Sequence, residues 1–348
     1  MKLTFRWYYK NDHISLKDIS QIPTMSGIVA SLYDVKPGIK WELEDIMALK
    51  AEINNAGLEF EVVESVPVHE DIKLGIDTRD EYILNYCETI RNLSKAGVKV
   101  ICYNFMPVFD WMRSDLKKKN NDGSTSLSYV NEDVNKLNPL TIGDDLDLPA
   151  WDKSIGKEKL KELLITYQSF TEEQFFDNLK YFLDRIIPVA AECDVAMAIH
   201  PDDPPWKIFG LPRIIGNKDN LIKFLALNKS KYNGVTFCTG SFGSSPTNDL
   251  VKMIEMCKGR IHFAHLRNVR ITGEKSFEEA PHPSSCGSID MYEIVKALRK
   301  NGFDGYVRPD HGRAIWNDSC ANGYGLYDRA LGATYIVGLF EAIDKGVI

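Results

Sequence analysis

Short, continuously hydrophobic runs alternate with longer amphipathic stretches along most of the chain. Such runs are typical of buried parallel strands, and the stretches between them have the spacing of helices that cover a sheet. The pattern predicts eight strands, at residues 3–8, 27–32, 59–64, 98–105, 195–200, 234–238, 260–265 (or to 267) and 305–310. It predicts helices at residues 15–19 with Ser15 as N-cap, and at 41–56, 79–96, 172–193, 218–227, 248–257, 291–300 and 326–343.

This alternation predicts a single (β/α)8 barrel, a TIM barrel, that spans residues 1–348. A doubly wound open sheet is the alternative, but no Gly-x-Gly-x-x-Gly motif follows the first strand. The regular pattern stops between residues 107 and 168, where Asp, Asn, Ser and Lys are frequent. We expect this segment to be a partly helical insertion after the fourth strand that covers the C-terminal face of the barrel. A disordered surface insert is the alternative interpretation.

Four successive predicted strands end at a residue that could bind a metal ion. These residues are His200, Cys238, His265 and Asp310. Side chains alternate between the two faces of a strand, and each candidate shares a face with the residues that fit the barrel interior. A single His or Cys at a strand end is more often structural, but four together favour one site at the end where barrel active sites lie.

A set of His, Cys, His and Asp suits a divalent transition metal with open positions for a substrate. The thiolate favours Zn or Fe and the carboxylate favours Mn or Mg, so the ligand types leave the metal open. Arg267 and Arg308 share faces with His265 and Asp310. They could bind an acidic small molecule, or they could pair with buried acidic residues.

His311 is the candidate for proton transfer because an imidazole titrates near neutral pH. It follows Asp310 directly and should face the other way on a regular strand, but Gly312 would let the backbone turn. The other histidines lack a comparable context and are interpreted as structural: His13, His69, His262 and His282.

Composition indicates an ordinary soluble protein, with 44% hydrophobic and 26% charged residues. A net charge of −7 argues against a nucleic-acid partner. No run is long enough for a transmembrane helix, and the first ten residues do not resemble a signal peptide. The seven cysteines are scattered without a Cys-x-x-Cys pair, which favours a reducing compartment. We therefore expect a cytoplasmic protein with neither a nucleic acid nor a membrane as partner.

Seven stretches distributed over nearly the whole chain carry a more specific pattern. They are FRWY at 5–8, YNFMPVFDW at 103–111, HPDDPP at 200–205, CTGS at 238–241, FAHLRN at 263–268, RPDHG at 308–312 and GYGLYDR at 323–329. Together they resemble the mannonate dehydratase family. The resemblance implies a xylose-isomerase-like barrel that converts D-mannonate to 2-keto-3-deoxy-D-gluconate and water in hexuronate (glucuronate) catabolism. It implies Mn²⁺, or in some members Fe²⁺, as cofactor.

Carried over by motif, the resemblance also implies residue roles. His200, Cys238, His265 and Asp310 would bind the metal, and His311 and Tyr324 would be catalytic. We expect Arg267, Arg308, Asn268 and Trp111 to contact the substrate, and we expect a homo-oligomer, a dimer. The two proton transfers stay unassigned among His311, Tyr324 and a metal-bound water. A metal-dependent aldose–ketose isomerase and a non-catalytic sugar-acid binding protein are the alternative functions.

Overall fold

The strands build a closed parallel barrel and a second, smaller sheet within the part of the chain that the computed structural model describes, residues 1–139 and 156–346. Their bounds are β1 Lys2–Arg6, β2 Gly27–Ala30, β3 Glu59–Glu64, β4 Val100–Tyr103, β5 Asp115–Lys119, β6 Thr125–Tyr129, β7 Ala196–Ile199, β8 Asn233–Cys238, β9 Ile261–Leu266, β10 Asn268–Gly273, β11 Ser276–Ala280 and β12 Tyr306–Pro309. The barrel order is β1-β12-β9-β8-β7-β4-β3-β2. Because β1 pairs in parallel with both β2 and β12, the sheet is closed. The predicted (β/α)8 barrel is confirmed.

The eight predicted helices lie close to their predicted bounds, and helices at residues 70–74, 131–136, 157–168 and 239–243 are additional. The described residues contain twelve α-helices. They are α1 Leu16–Ser20, α2 Leu43–Asn55, α3 Glu70–Leu74, α4 Arg79–Lys95, α5 Asn131–Lys136, α6 Lys157–Gln168, α7 Glu172–Glu192, α8 Lys218–Leu227, α9 Thr239–Gly243, α10 Leu250–Met256, α11 Met291–Lys300 and α12 Leu326–Asp344. Ser15 caps α1 as predicted, since its side chain accepts a hydrogen bond from the Asp18 backbone N–H. Among the described residues, no helix is long and apolar enough to span a membrane.

Hydrophobic residues pack in two separate layers. A small group fills the barrel interior, and it consists of Val29, Val62, Val100, Cys102, Ala198 and Phe263. A much larger layer lies between the strands and the outer helices, where α7 buries Phe175, Leu179, Phe182 and Ile186 at helical spacing. The interior residues have the strand parity that the sequence predicted for Ala198 and Phe263, so His200 and His265 continue inward-facing rows.

The second sheet has the order β10-β11-β6-β5. One hairpin, β5/β6, belongs to the segment 107–168, and the other, β10/β11, follows barrel strand β9. They join through antiparallel pairing of β11 with β6, for example Phe277 opposite Tyr129. These strands were not predicted, because β5 has the sequence DLKKK and lacks a hydrophobic run. Residues 140–155, which include Trp151 of the predicted insertion, lie outside the described residues.

Candidate metal centre and active site

Three of the four predicted metal ligands come together at the C-terminal end of the barrel. The side chains of His200, Cys238 and His265 each offer one ligand atom, and these atoms lie within 4.8 Å of one another. Nε2 of His200 is 3.2 Å from Nδ1 of His265. We call these three residues the ligand cluster.

Asp310 adjoins the ligand cluster. Its Oδ2 is 3.5 Å from the Cys238 sulfur and 3.9 Å from Nδ1 of His265. Two atoms that bind one divalent ion at about 2.0–2.3 Å lie at most about 4.6 Å apart. Asp310 therefore meets this limit with two members of the cluster, and the set of sulfur, nitrogen and oxygen donors fits a divalent transition metal.

Strand register explains why these side chains meet. Cys238 of β8 and His265 of β9 are direct neighbours across the sheet, and Arg308 of β12 is the neighbour of His265 on the other side. His200 directly follows β7, the strand beside β8. A parallel barrel places these residues at one rim because every strand ends there.

Neighbouring groups hold the ligand atoms in place. Nδ1 of His200 lies 2.7 Å from the carbonyl oxygen of Pro201, so it can donate its proton there and leave Nε2 to face the cluster. The Cys238 sulfur accepts hydrogen bonds from the backbone N–H and hydroxyl of Ser241, at 3.4 and 3.1 Å. Gly240 lies so close to Arg267 that a Cβ there would overlap the Arg267 side chain.

Two buried arginines hold the Asp310 carboxylate. Nη2 of Arg308 is 2.7 Å from Oδ1, and Nη1 of Arg267 is 3.0 Å from Oδ2. Burial would raise the pKa of Asp310, but the Arg308 guanidinium, together with His311 and Arg267, holds it well below its usual range. In this chain the predicted arginine pair therefore forms ion pairs with buried carboxylates, which was the alternative interpretation of these residues.

His311 lies at the same site, although regular strand parity would have turned it away. Its Nε2 is 3.1 Å from the Tyr324 hydroxyl, and its Nδ1 is 2.9 Å from Nη1 of Arg267 and 3.1 Å from Oε1 of Glu279. The Trp111 ring packs edge-on against the imidazole at a centroid distance of 6.2 Å. Burial raises the pKa of Tyr324, so its phenol keeps its proton at neutral pH.

The reason proposed for the orientation of His311 needs correction. The strand β12 ends at Pro309, before Asp310, so parity no longer applies at residue 311. Gly312 is absent from the positive-φ residues of the described chain. A Cβ at Gly312 would instead meet the Arg329 side chain at 2.9 Å, so this position requires a small residue.

The side-chain amide of Asn268 is hydrogen-bonded to backbone groups. Its amide oxygen accepts a hydrogen bond from the Ile289 backbone N–H at 3.0 Å, and its amide nitrogen donates to the carbonyls of Pro283 and Ile289. These bonds engage both ends of the amide in holding the loop before α11. The expected contact of Asn268 with substrate stays a prediction.

The histidines interpreted as structural have other environments. His69 caps α3 and stacks on Tyr82 at a centroid distance of 3.8 Å. His262 faces away from the barrel interior, and burial lowers its pKa to about 4. Among the described residues, none of these histidines joins the ligand cluster.

Three acidic residues at the site were missed by the sequence interpretation. Glu64 lies 3.2 Å from Nε2 of His265. Asp203 accepts hydrogen bonds from Arg113 and Arg267, and Glu279 accepts one from Arg113 at 2.8 Å. Glu64 ends β3 on the same face as the interior residue Val62, so the strand-end argument would have found it. Glu279 had no such signal, because β11 was not predicted.

A closed (β/α)8 barrel with a His/His/Cys cluster at its rim defines a barrel protein with a candidate metal centre. Distant solved structures share the fold alone. They include D-psicose 3-epimerase from Clostridium cellulolyticum H10 (TM-score 0.59, 11% identity, 99% of both chains) and a xylose isomerase domain protein from Planctomyces limnophilus (TM-score 0.57, 11% identity, 99% of this chain and 98% of the other).

Closer relatives narrow the class to one family. The family model described as D-mannonate dehydratase (UxuA) matches residues 1–347. A mannonate dehydratase from Thermotoga petrophila is 56% identical over 355 residues, covering 99% of this chain and 98% of the relative. The crystal structure of mannonate dehydratase from Streptococcus suis serotype 2 superposes with a TM-score of 0.92 at 48% identity, covering 100% of this chain and 96% of the other. The chain therefore belongs to the D-mannonate dehydratase family, whose members are carbon–oxygen lyases.

Proposed function

We propose that this protein removes water from D-mannonate at the ligand cluster, with 2-keto-3-deoxy-D-gluconate as product. The observation that carries the proposal is the meeting of the His200, Cys238 and His265 ligand atoms within 4.8 Å, beside Asp310 and the His311–Tyr324 pair. Membership in the family favours the dehydratase over an aldose–ketose isomerase and over a non-catalytic binding protein.

The reaction removes a proton from C2, next to the carboxylate, and the hydroxyl from C3. A bound divalent cation would stabilise the negative charge that develops on the carboxylate oxygens when the C2 proton leaves. His200, Cys238, His265 and Asp310 would hold this cation. The leaving hydroxyl gains a proton and departs as water, and the resulting enol rearranges to the 2-keto acid.

His311 and Tyr324 are the groups proposed to move these protons. Nε2 of His311 lies 3.1 Å from the Tyr324 hydroxyl, so a proton can pass between them without either side chain moving. Both are buried or half-buried at the rim. Which of the two serves as base and which as acid depends on the pose of the substrate.

Arg308 is better placed than Arg267 to bind the substrate. The Arg267 guanidinium already forms hydrogen bonds with Asp310, Asp203 and Nδ1 of His311. Arg308 uses Nη2 for Asp310 and Glu64, while its Nε and Nη1 have no hydrogen-bond partner among the described residues. A carboxylate or hydroxyl of the substrate would satisfy these buried donors, because an unpaired buried donor is costly. Trp111 would form a wall beside the imidazole of His311.

Purified protein loaded with Mn²⁺ tests the function directly. Incubation with D-mannonate should produce a 2-keto-3-deoxy acid, detected by mass spectrometry as loss of one water and by reaction of the new keto group. D-Gluconate and D-galactonate, which are hexonates of the same size and charge, serve as comparison substrates. Product of unchanged mass would indicate isomerisation, and recovery of unchanged substrate would indicate a binding protein; either result would contradict the proposal.

We propose further that residues 107–168, together with the second sheet, cover the site. Arg113, from this segment, pairs with Asp203 at 2.7 Å and with Glu279 of β11 at 2.8 Å, and both carboxylates also lie near Arg267. The segment therefore contacts the side chains that surround the ligand cluster. Exclusion of water by such a cover would strengthen the electrostatic stabilisation of the charged intermediate.

Substrate should slow amide hydrogen exchange in residues 107–168, most strongly near Trp111, because the bound acid would lock the cover in place. Hydrogen-exchange mass spectrometry of the metal-loaded protein, with and without saturating mannonate, measures this. Helix α2 on the outside of the barrel provides the internal reference. Unchanged exchange in 107–168 would reduce the segment to a surface element.

The metal, the pathway, the compartment and the oligomeric state are part of the same proposal. Mn²⁺, with Fe²⁺ as the alternative, is the expected metal, and hexuronate breakdown is the expected pathway. All seven cysteines are free thiols, which is compatible with a reducing, cytoplasmic compartment. A homodimer stays a prediction.

A further inference from the structure

Glu64 lies at the C-terminal end of β3, a strand that supplies none of the proposed metal ligands. Its Oε2 is 3.2 Å from Nε2 of His265 and 3.2 Å from Nη1 of Arg6, and its Oε1 is 3.0 Å from Nη2 of Arg308. Three nitrogen-bearing side chains, Arg308, His265 and Arg6, therefore surround the carboxyl group of Glu64.

The two ring nitrogens of His265 have different surroundings. Nδ1 faces the ligand cluster, at 3.2 Å from Nε2 of His200 and 3.9 Å from Oδ2 of Asp310. Nε2 lies 3.2 Å from Oε2 of Glu64, and neither of these two buried atoms forms a hydrogen bond with any other described residue, which leaves them to each other. A neutral imidazole with its proton on Nε2, directed to the carboxylate, presents the lone pair of Nδ1 to an ion.

A carboxylate on the far side of a metal-binding histidine has a known physical effect. It selects the tautomer, restrains the rotation of the ring, and increases the electron density on the ligating nitrogen. Glu64 also contacts Arg308, which in turn holds Asp310 at 2.7 Å. One carboxylate is thus linked to two of the proposed ligands from outside the ligand cluster.

We propose that Glu64 is a positioning residue that sets the tautomer and orientation of His265 for metal binding. The proposal rests on the metal site proposed above, and it assigns to Glu64 no contact with the substrate. Replacing Glu64 should therefore weaken metal binding. Any decrease in turnover would follow from that weaker binding.

Glu64→Gln tests the proposal because the amide has nearly the same shape but lacks the charge. The Mn²⁺ dissociation constant should rise by about 10–100-fold, the usual effect of removing such a partner. It is measured from the electron paramagnetic resonance signal of free Mn²⁺ during titration of the protein. In Co²⁺-loaded protein the ligand-field absorption bands should shift, since the orientation of His265 changes, while the cysteine-to-cobalt charge-transfer band persists.

Glu61→Gln is the matched control. Glu61 belongs to the same strand and forms an ion pair with Lys2 at the start of β1, away from the ligand cluster. This variant should bind Mn²⁺ like the wild-type protein and give the unshifted Co²⁺ spectrum. Wild-type Mn²⁺ affinity in Glu64→Gln would overturn the proposal.

Two further variants complete the experiment. If Glu64→Gln does not fold, Glu64→Asp decides the question, because it keeps the charge but withdraws the carboxylate from Nε2; its affinity should fall several-fold, and wild-type affinity would again overturn the proposal. Cys238→Ser, titrated in parallel, tests the metal site itself. Tight binding by Cys238→Ser refutes the ligand cluster, whereas tight binding by the Glu64 variants alone refutes only the role of Glu64.

Discussion

Replacing Cys238 by Ser is expected to remove most of the bound metal and to abolish turnover while the barrel still folds. The thiolate is the softest donor of the site, and a neutral hydroxyl binds a divalent transition metal far more weakly. The change is small in volume, and Ser241 can still donate hydrogen bonds to the new oxygen. Elemental analysis, circular dichroism and the dehydratase assay on one preparation measure the three quantities.

Asp310→Asn should give the same result, because it removes a negative charge that would face the metal and leaves Arg267 and Arg308 without their shared partner. Cys257→Ser is the matched control, since Cys257 is equally buried but lies at the end of α10, outside the ligand cluster. Full metal content and activity in the Cys238 and Asp310 variants would refute the assignment. A loss of folding in the control would show that a buried hydroxyl alone is harmful.

His311→Asn is expected to retain the metal and to bind mannonate, but to turn it over about 10²–10⁴ times more slowly, the usual contribution of one general acid–base group. The reason is geometric, because the imidazole contacts Tyr324, Arg267 and Glu279, and among the proposed ligands it approaches only Asp310, with Nε2 3.9 Å from Oδ1. Metal stoichiometry, substrate affinity by calorimetry, and kcat separate the possibilities.

His262→Asn serves as the control for replacing a buried histidine, since His262 lies at the outer side of β9 away from the site. Its kcat should remain near the wild-type value even if the free energy of unfolding decreases. Loss of metal in His311→Asn would make His311 a ligand instead. Turnover close to wild type would mean that Tyr324 and a water suffice for both proton transfers.

The barrel and its ligand cluster could be predicted because both follow from local rules. Buried parallel strands are short hydrophobic runs, and side-chain alternation shows which residue at each strand end faces inward. The rows ending in His200 and His265 continue the interior residues Ala198 and Phe263 as predicted. The same rule applied to β3 would have indicated Glu64. A glutamate at a strand end is less specific for a metal site than a histidine or a cysteine, because acidic residues are far more common in the sequence.

The second sheet could not be predicted, and the residues that depend on it were missed with it. Strand β5 alternates exposed and half-buried residues, of which only Leu116 is apolar. Strand β11 forms a hairpin with β10, but it joins the rest of the sheet through β6, which is distant in sequence. Such pairing depends on tertiary packing more than on local propensity. For the same reason the contacts of Glu279 with Arg113, Arg267 and His311 had no sequence signal. The hydrogen bonds of the Asn268 amide to Pro283 and Ile289 had no sequence signal either, because these residues are distant in sequence.

The pairing of β6 with β11 also limits how this enzyme can be recombined with its relatives. The two hairpins leave the barrel after different strands, yet they share one set of backbone hydrogen bonds and the Arg113–Glu279 ion pair. In a chimaera that receives only one hairpin from a relative, β6 and β11 would come from different proteins and would not be matched for pairing. Arg113 or Glu279 could then be buried without its charged partner, which is destabilising. Loop grafting aimed at new sugar acids should therefore transfer residues 107–168 and 268–280 as one unit.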